Sequence, residues 1–295
     1  MSIYFNLNDS KLEFVLQQNN NEYFAVNFLN THVNGADFGS IINEVIGKED
    51  FPLKKLSGTC QVVILPSCAV GYGMISVPKT IFHAGRDFET KFNALYNKAG
   101  NMAYDKFHLF SKNNVSTYSF MTYRKDLLSS IEISLKKYNI KVAGFTTYAR
   151  AVNKFVLSKF PELSGMNFLA LYGGDYLTAS ANIANKILSS MDKNLSQSNL
   201  LAKAFVNNAL ENTNKTAEDN NSHNGTISLE KGVRASLFLH DYENYYNSNG
   251  IKFDKIINLS QFNIMGAIDL PCESSDILKI ADRSIIISKK GFFSL

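Results

Sequence analysis

Tryptophan is missing from the 295 residues, and cysteine occurs three times, at Cys60, Cys68 and Cys272. An odd count with no repeated spacing excludes a framework of bridges and fits a reducing compartment. Cys60 opens an apolar run, so it and Cys68 read as small core residues rather than a redox pair. No stretch of roughly 18 apolar residues occurs, and the opening MSIYFNLNDSKLEFV has neither a basic n-region nor a continuous apolar core. Neither secretion nor a membrane span is expected. Five histidines, at positions 32, 83, 108, 223 and 240, stand apart from one another and from the cysteines, without the spacing of a structural zinc site. The GxSxG elbow, the HExxH helix and the GxxxxGK[ST] phosphate loop do not occur, which confines any enzymatic reading to scattered acids. Excess charge is scarce too: 30 Lys+Arg against 26 Asp+Glu leave a net +4, too small and too evenly spread for a nucleic-acid partner.

Against these absences stands a composition that is 45% apolar, enough for the core of one large domain or of two ordinary ones. Ile3, Phe5 and Leu7 alternate before Asn8-Asp9, and Leu12, Phe14 and Leu16 alternate after it, which predicts a hairpin. Residues 21–29 add a strand and 38–46 a short helix. After a charged connection from Gly47 to Gly58, CQVVILP (60–66) reads as a strand with 69–78 as its partner. From Arg86 the period changes, and Phe88, Phe92, Leu95 and Ala99 recur at helical intervals. Asn113-Asn114 marks a second hairpin. Leu127, Leu128, Ile131, Leu135 and Tyr138 then stripe a helix from Lys125, with Lys136 and Lys137 near its end, where the dipole favours cations. Residues 142–161 predict a strand, a Thr146 or Thr147 cap and a helix stopped by Pro161. Strands follow at 167–174 and 176–183 around the Gly173-Gly174 turn. A helix is expected over 195–212, a polar surface excursion over 212–224, and strands at TISLE (226–230) and ASLFLHD (235–241). KFDKIINLS (252–260) leads into a further strand, and a short helix near 275–282 and a strand over 284–289 close the chain. Each half begins with sheet, packs helices on it and returns to strand, the pattern of a two-lobed α/β body.

Several phrases carry a family likeness. VVILP (62–66) is followed by ISVPK (75–79), then by a helix, a hairpin and a helix; LLSSIEISLKKYNIKVAGFTTYARAV (127–152) runs as amphipathic helix, short strand and helix. In this order the chain resembles the actin-like ATPase superfamily, and within it the type IV pilus assembly protein PilM family and its cell-division relatives. The likeness spans most of the chain and is strongest over 60–183. It implies a two-lobed actin-like (ribonuclease H-like) α/β fold with an inserted small α+β subdomain. The first lobe would cover 1–165, with the insertion at about 50–123, and the second 166–295, with a variable subdomain at about 190–250.

Active members of that superfamily hold ATP with two turns of the type Asp-Ile-Gly-x-x-x-[Ser/Thr], whose backbone N–H groups embrace phosphate while the carboxylates organise Mg²⁺ and water. Carried onto this chain, Asn6 stands at the first acid and Asn8 at its glycine; Tyr172 stands at the second acid, with Gly173 next and Gly174 at the glycine. Neither Asn6 nor Tyr172 can be the magnesium-organising carboxylate, and Asn8 puts a Cβ where bare backbone should meet phosphate. On the adenosine side the family has a strand and a glycine-rich turn into a helix, whereas INLSQFNIMG (257–266) has Ser260-Gln261 in place of the glycines. Neither ATP nor magnesium is expected as a cofactor. Asp9 and Asp175 read either as displaced metal ligands or as solvated turn aspartates capping a nearby N–H.

The resemblance also implies a partner. PilM-family proteins lie on the cytoplasmic side of the inner membrane and take the N-terminal peptide of a bitopic protein, PilN, in a groove of the first lobe and its insertion. By that likeness the chain would be a cytoplasmic scaffold or adaptor of a type IV pilus machine, peripheral at the membrane's inner face. It would bind a PilN-like protein and other inner-membrane pilus components. An extended peptide needs an edge to pair with and a few apolar pockets. The hairpin 104–122 is the expected contact, with Tyr72, Tyr118, Phe120 and Tyr123 as its anchors when taken as a group, although for any one of them ordinary core packing is the commoner role. Lys48, Lys54 and Lys55 read as a solvated edge or a phosphate or lipid surface. Two other readings stay open: an ATPase or kinase with rearranged phosphate loops, using Asp9 or Asp175 as the missing carboxylate, and an actin-like filament or cell-division protein.

Overall fold

The apolar alternation at the start of the chain becomes an antiparallel pair. β1 (Ser2–Leu7) and β2 (Lys11–Gln18) register Ile3 with Leu16, Phe5 with Phe14 and Leu7 with Leu12. β3 (Asn21–Phe28) extends the meander. The computed structural model describes residues 2–7, 11–18, 21–28, 38–47, 57–58, 60–65, 69–79, 84–97, 100–174, 176–195 and 222–273, and near the C-terminus 276–277, 280 and 287–288. Two compact units make up the chain: Met1–Phe155 with Glu273–Leu295, and Val156–Cys272.

In the first unit, helix α1 (Phe38–Ile46) leads to β4 (Cys60–Leu65), which runs parallel to β1; β8 (Lys141–Thr147) runs parallel to β4. Val62 to Leu65 are all buried, as suits a central parallel strand covered on both faces. The segment 69–78 is not the partner of β4. With β1 and β8 on its two sides, β4 has no hydrogen-bonding edge to offer. β5 (Val70–Pro78) instead builds a separate antiparallel sheet with β6 (Met102–Lys112) and β7 (Val115–Arg124), in the order β5-β7-β6. Asn113 and Asn114 turn the β6–β7 hairpin with φ of 51° and 58°, the geometry that asparagine tolerates in two-residue hairpins. Helix α2 (Ala84–Tyr96) packs on this small sheet. Helix α3 (Lys125–Lys137) returns the chain to β8, and β14 (Ile287–Ser288) pairs antiparallel with β8, giving the order β14-β8-β4-β1-β2-β3. Helix α4 (Tyr148–Lys159) is capped by Thr147, whose Oγ1 accepts the N–H of Arg150 at 3.2 Å.

The second unit repeats the plan. β9 (Phe168–Gly173), β10 (Tyr176–Ile183) and β11 (Lys186–Asn194) form an antiparallel meander, β12 (Lys255–Asn258) is parallel to β9, and β13 (Ile268–Asp269) is parallel to β12. The apolar pattern did not reveal β11. In both large sheets five strands run third-second-first-fourth-fifth, the first three antiparallel and the next two parallel, and in the first sheet β14 adds an antiparallel sixth. The two strands expected at 226–230 and 235–241 are instead one helix, α5 (Ser222–Ser248). From Glu230 onward, Ala235, Phe238, Leu239, Tyr242 and Tyr246 are buried. Their spacing of three and four makes one helical face, and the salt-bridged pair Glu230–Arg234 is at i,i+4. The helix expected over 195–212 and nearly all of the excursion expected over 212–224 lie outside the described residues, α5 beginning at Ser222.

Candidate functional site

The turn after β1 and the turn after β9 are topologically equivalent, each joining the first and second strands of its sheet. Asn6 lies on β1, registered with Glu13 of β2 and Ile64 of β4; Asn8, Asp9, Asp175 and Lys48, Lys54 and Lys55 lie outside the described residues. Tyr172, next to the last residue of β9, is buried, its hydroxyl 3.5 Å from Ser190 Oγ. The family likeness would put an acid at this position. Gly173 turns the chain at φ 105°, a region that a Cβ disfavours. A Cβ at Gly174 would stand 3.6 Å from Nε2 of Gln261. The chain therefore brings together Gly174 and Gln261, two of the residues expected at a nucleotide site.

Beyond β12 the chain is held by one buried amide. Asn258 is buried, and its Nδ2 donates to Phe262 O and to Asp269 Oδ1, both at 2.7 Å. Its Oδ1 accepts the N–H of Ser260 at 3.1 Å and the hydroxyl of Ser260 at 2.6 Å, and Ser260 Oγ in turn accepts the N–H of Phe262 at 3.3 Å. One side chain so satisfied fixes the loop from 258 to 262 and ties it to β13. Residues 259–267 run as bends and a turn into β13, with no helix. The sequence signal was an Asn two residues before a Ser, an Asx-turn pattern, and Asn258 was not among the expected site residues. Among the described residues, no group of three or more His, Cys, Asp or Glu is placed to hold a metal ion.

The four aromatic candidates fall on two faces of the small sheet. Tyr118 and Phe120 face α2, with Ile75 and Val77; Tyr72 and Tyr123 lie on the opposite face, where β5 and β7 register Tyr72 with Met121 and Val70 with Tyr123. Phe120 is 1% exposed and central to a cluster with Phe88 and Phe92. Its ring centroid is 5.9 Å from Phe88, 5.4 Å from Phe92 and 5.0 Å from Tyr96. Gly73 makes room for it, since a Cβ there would come within 2.5 Å of Phe120 Cζ. Tyr123 is equally buried, with its hydroxyl on Met121 Sδ at 3.7 Å. Burial, with Tyr72 and Asp105 nearby, pushes its phenol well above the ordinary value. Phe120 and Tyr123 thus present almost no surface, whereas Tyr72 and Tyr118 are half-buried. Asp105 of β6 pairs with Arg150 of α4 at 3.6 Å. The residue that the sequence did not single out is Lys106, whose Nζ lies 4.4 Å from the Phe88 centroid.

No protein-family model matches the chain, and no curated protein matches it in sequence. Solved structures match in fold. A chain of the PilM–PilN type IV pilus biogenesis complex superposes with a TM-score of 0.61 at 14% identity, covering 95% of this chain and 94% of that one. The cytoplasmic domain of EpsL, an inner-membrane component of the type II secretion system of Vibrio cholerae, gives 0.53 at 10% identity over 97% and 96%. A sheet topology used twice, a small sheet-and-helix insertion in the first copy, and these full-length superpositions give the chain the two-lobed α/β fold of the actin-like ATPase superfamily, in the form seen in the PilM–PilN complex.

Proposed function

We propose that this chain is a cytoplasmic scaffold of a type IV pilus assembly machine. It sits at the inner face of the membrane by binding the N-terminal leader of a PilN-like bitopic protein, and its nucleotide binding is weak or lost. The observation that carries this reading is the second unit's nucleotide-side geometry within a full-length actin-like body. Tyr172 is buried in place of an acid, Gln261 lies against Gly174, and an Asn258-locked loop stands where a helix would flank adenosine. A body that keeps the fold while closing these three positions retains surfaces rather than chemistry. The likeness to a chain of the PilM–PilN complex and to an EpsL cytoplasmic domain supports a membrane-assembly role. No helix among the described residues is long and apolar enough to cross a membrane; the membrane contact in this reading runs through the partner.

The proposed leader site is the insertion on the first unit, with Tyr72 and Tyr118 as half-exposed anchors and Phe120 and Tyr123 shaping the sheet beneath them. An added strand takes its affinity from main-chain pairing and its selectivity from neighbouring pockets. The test is calorimetric titration of leader peptides from membrane proteins encoded beside this chain into wild type, Tyr72→Ala and Tyr118→Ala, each shown to melt cooperatively. We expect at least one variant to lose about 2 kcal/mol or more of binding. Equal binding by all three proteins, or a wild type that ignores every such peptide, rejects the site.

A further inference from the structure

A cation already sits on the aromatic face of the inserted sheet. Lys106 lies on β6 opposite Phe120, and its Nζ is 4.4 Å from the ring centroid of Phe88 and 5.8 Å from those of Tyr104 and Tyr118. The rings are fixed by one another: Phe88 is 5.4 Å from Tyr104 and 5.7 Å from Tyr118, and the edge of His108 meets Tyr118 at 5.4 Å. Phe88 is fully buried, and Tyr104 donates its hydroxyl to Glu89 Oε1 at 3.0 Å. The arrangement is therefore preformed, with a carboxylate at its rim. Ring faces attract ammonium and guanidinium groups, most of all where several rings converge. The ammonium that fills this one belongs to a half-buried lysine on an outer strand, on a flexible four-carbon stem that can turn its charge back to water.

We propose that Phe88, Tyr104 and Tyr118 form a cation seat, which Lys106 fills in the free protein and which a lysine or arginine of the bound leader takes over. This rests on the leader-binding reading above and adds the chemistry of the partner. Cytoplasmic segments next to a membrane span carry an excess of Lys and Arg. The leader of a bitopic protein is then cationic where it approaches the bilayer, and Glu89 beside the rings complements it. Lys106 keeps its charge hydrated on its flexible stem when it leaves, so the exchange costs little and the leader's cation adds to binding. The exchange also gives selectivity, since a neutral or acidic segment would have to leave Lys106 in place or bury the seat unfilled.

The first arm of the test needs no partner. Tetramethylammonium chloride is titrated into the full chain carrying Lys106→Ala while its methyl proton resonance is followed, with tert-butanol as the neutral counterpart. We expect a saturable upfield shift in the variant and binding about tenfold weaker both for tert-butanol and for the cation on wild type, where Lys106 competes. Lys106→Gln replaces the alanine variant if the latter does not melt cooperatively. A folded variant with no saturable shift, or one that treats cation and alcohol alike, overturns the seat. In the second arm each Lys and Arg of a leader that binds wild type is replaced by Gln. One replacement should weaken binding about tenfold; a leader indifferent to all of them overturns the exchange and leaves the scaffold reading standing. Failure of every leader to bind overturns the scaffold reading, and the tetramethylammonium arm then still decides the seat.

Discussion

Phe120 is the residue on which the insertion depends. Its ring touches three others and lies over Gly73 with no space to spare, so Phe120→Ala should cost about 3–5 kcal/mol and Gly73→Ala about 1–3 kcal/mol, both read from urea unfolding. A loss below about 1 kcal/mol in either would mean that the cluster relaxes freely. Tyr104 makes a separate, pH-dependent contribution. Burial, and after it the bond to Glu89, pushes its hydroxyl up to about 12. A raised folded-state value means that the neutral phenol stabilises fully below the unfolded pKa of about 10 and ceases to do so as pH climbs through about 12. Tyr104→Phe should therefore flatten the alkaline unfolding curve between those two values, and a variant with an unchanged slope contradicts this assignment.

At the scale of elements, the join between β11 and α5 turns on one hydroxyl. Ser189 Oγ is shared by the hydroxyls of Tyr242 and Tyr246, and burial raises the pKa of both phenols. Removing the serine oxygen takes a partner from each hydroxyl and leaves them their bond to one another, so Ser189→Ala should lower stability by about 1 kcal/mol; a thermal midpoint equal to wild type refutes the shared bond. The elements that were legible in the sequence are those whose cause is local. The β1–β2 register follows from alternation, the β6–β7 turn from Asn113-Asn114, and the end of α4 from Pro161. What failed was non-local. Nothing in 69–78 tells that both sides of β4 are taken, and β-branched and aromatic residues in 226–241 imitate strands although the spacing from Ala235 to Tyr246 is helical. Tyr172 could be singled out from the sequence because a phenol cannot do a carboxylate's work, but its burial could not. The bonded loop after β12 was not legible, since it lies in how Asn258 distributes its bonds. Burial separated Tyr72 and Tyr118 from Phe120 and Tyr123, a distinction that alternation cannot make when both faces of a sheet are covered.

For the whole molecule, any ligand that binds the folded chain raises its melting temperature by mass action. We expect magnesium-ATP to leave the melting temperature unchanged, and Tyr172→Asp not to restore binding, because Gln261 would still stand against Gly174 and no helix would flank the base. A saturable one-to-one isotherm tighter than about 10 μM, roughly 7 kcal/mol, overturns this. The repeated sheet plan has a further consequence, for the order in which the second unit assembles. Asn167 and Asp254 exchange two bonds, N–H to Oδ2 at 3.0 Å and N–H to O at 2.8 Å, although 87 residues separate them. The meander β9–β10–β11 closes through short turns, whereas β12 must return across that whole length, and closing the longer loop is the slower event. In pulse-labelling hydrogen exchange, amides of 168–194 should gain protection before those of 255–258. On the ribosome, one edge of β9 therefore stays open from the synthesis of Gly173 until Asn258 emerges, and that interval is when a nascent chain is most exposed to mispairing.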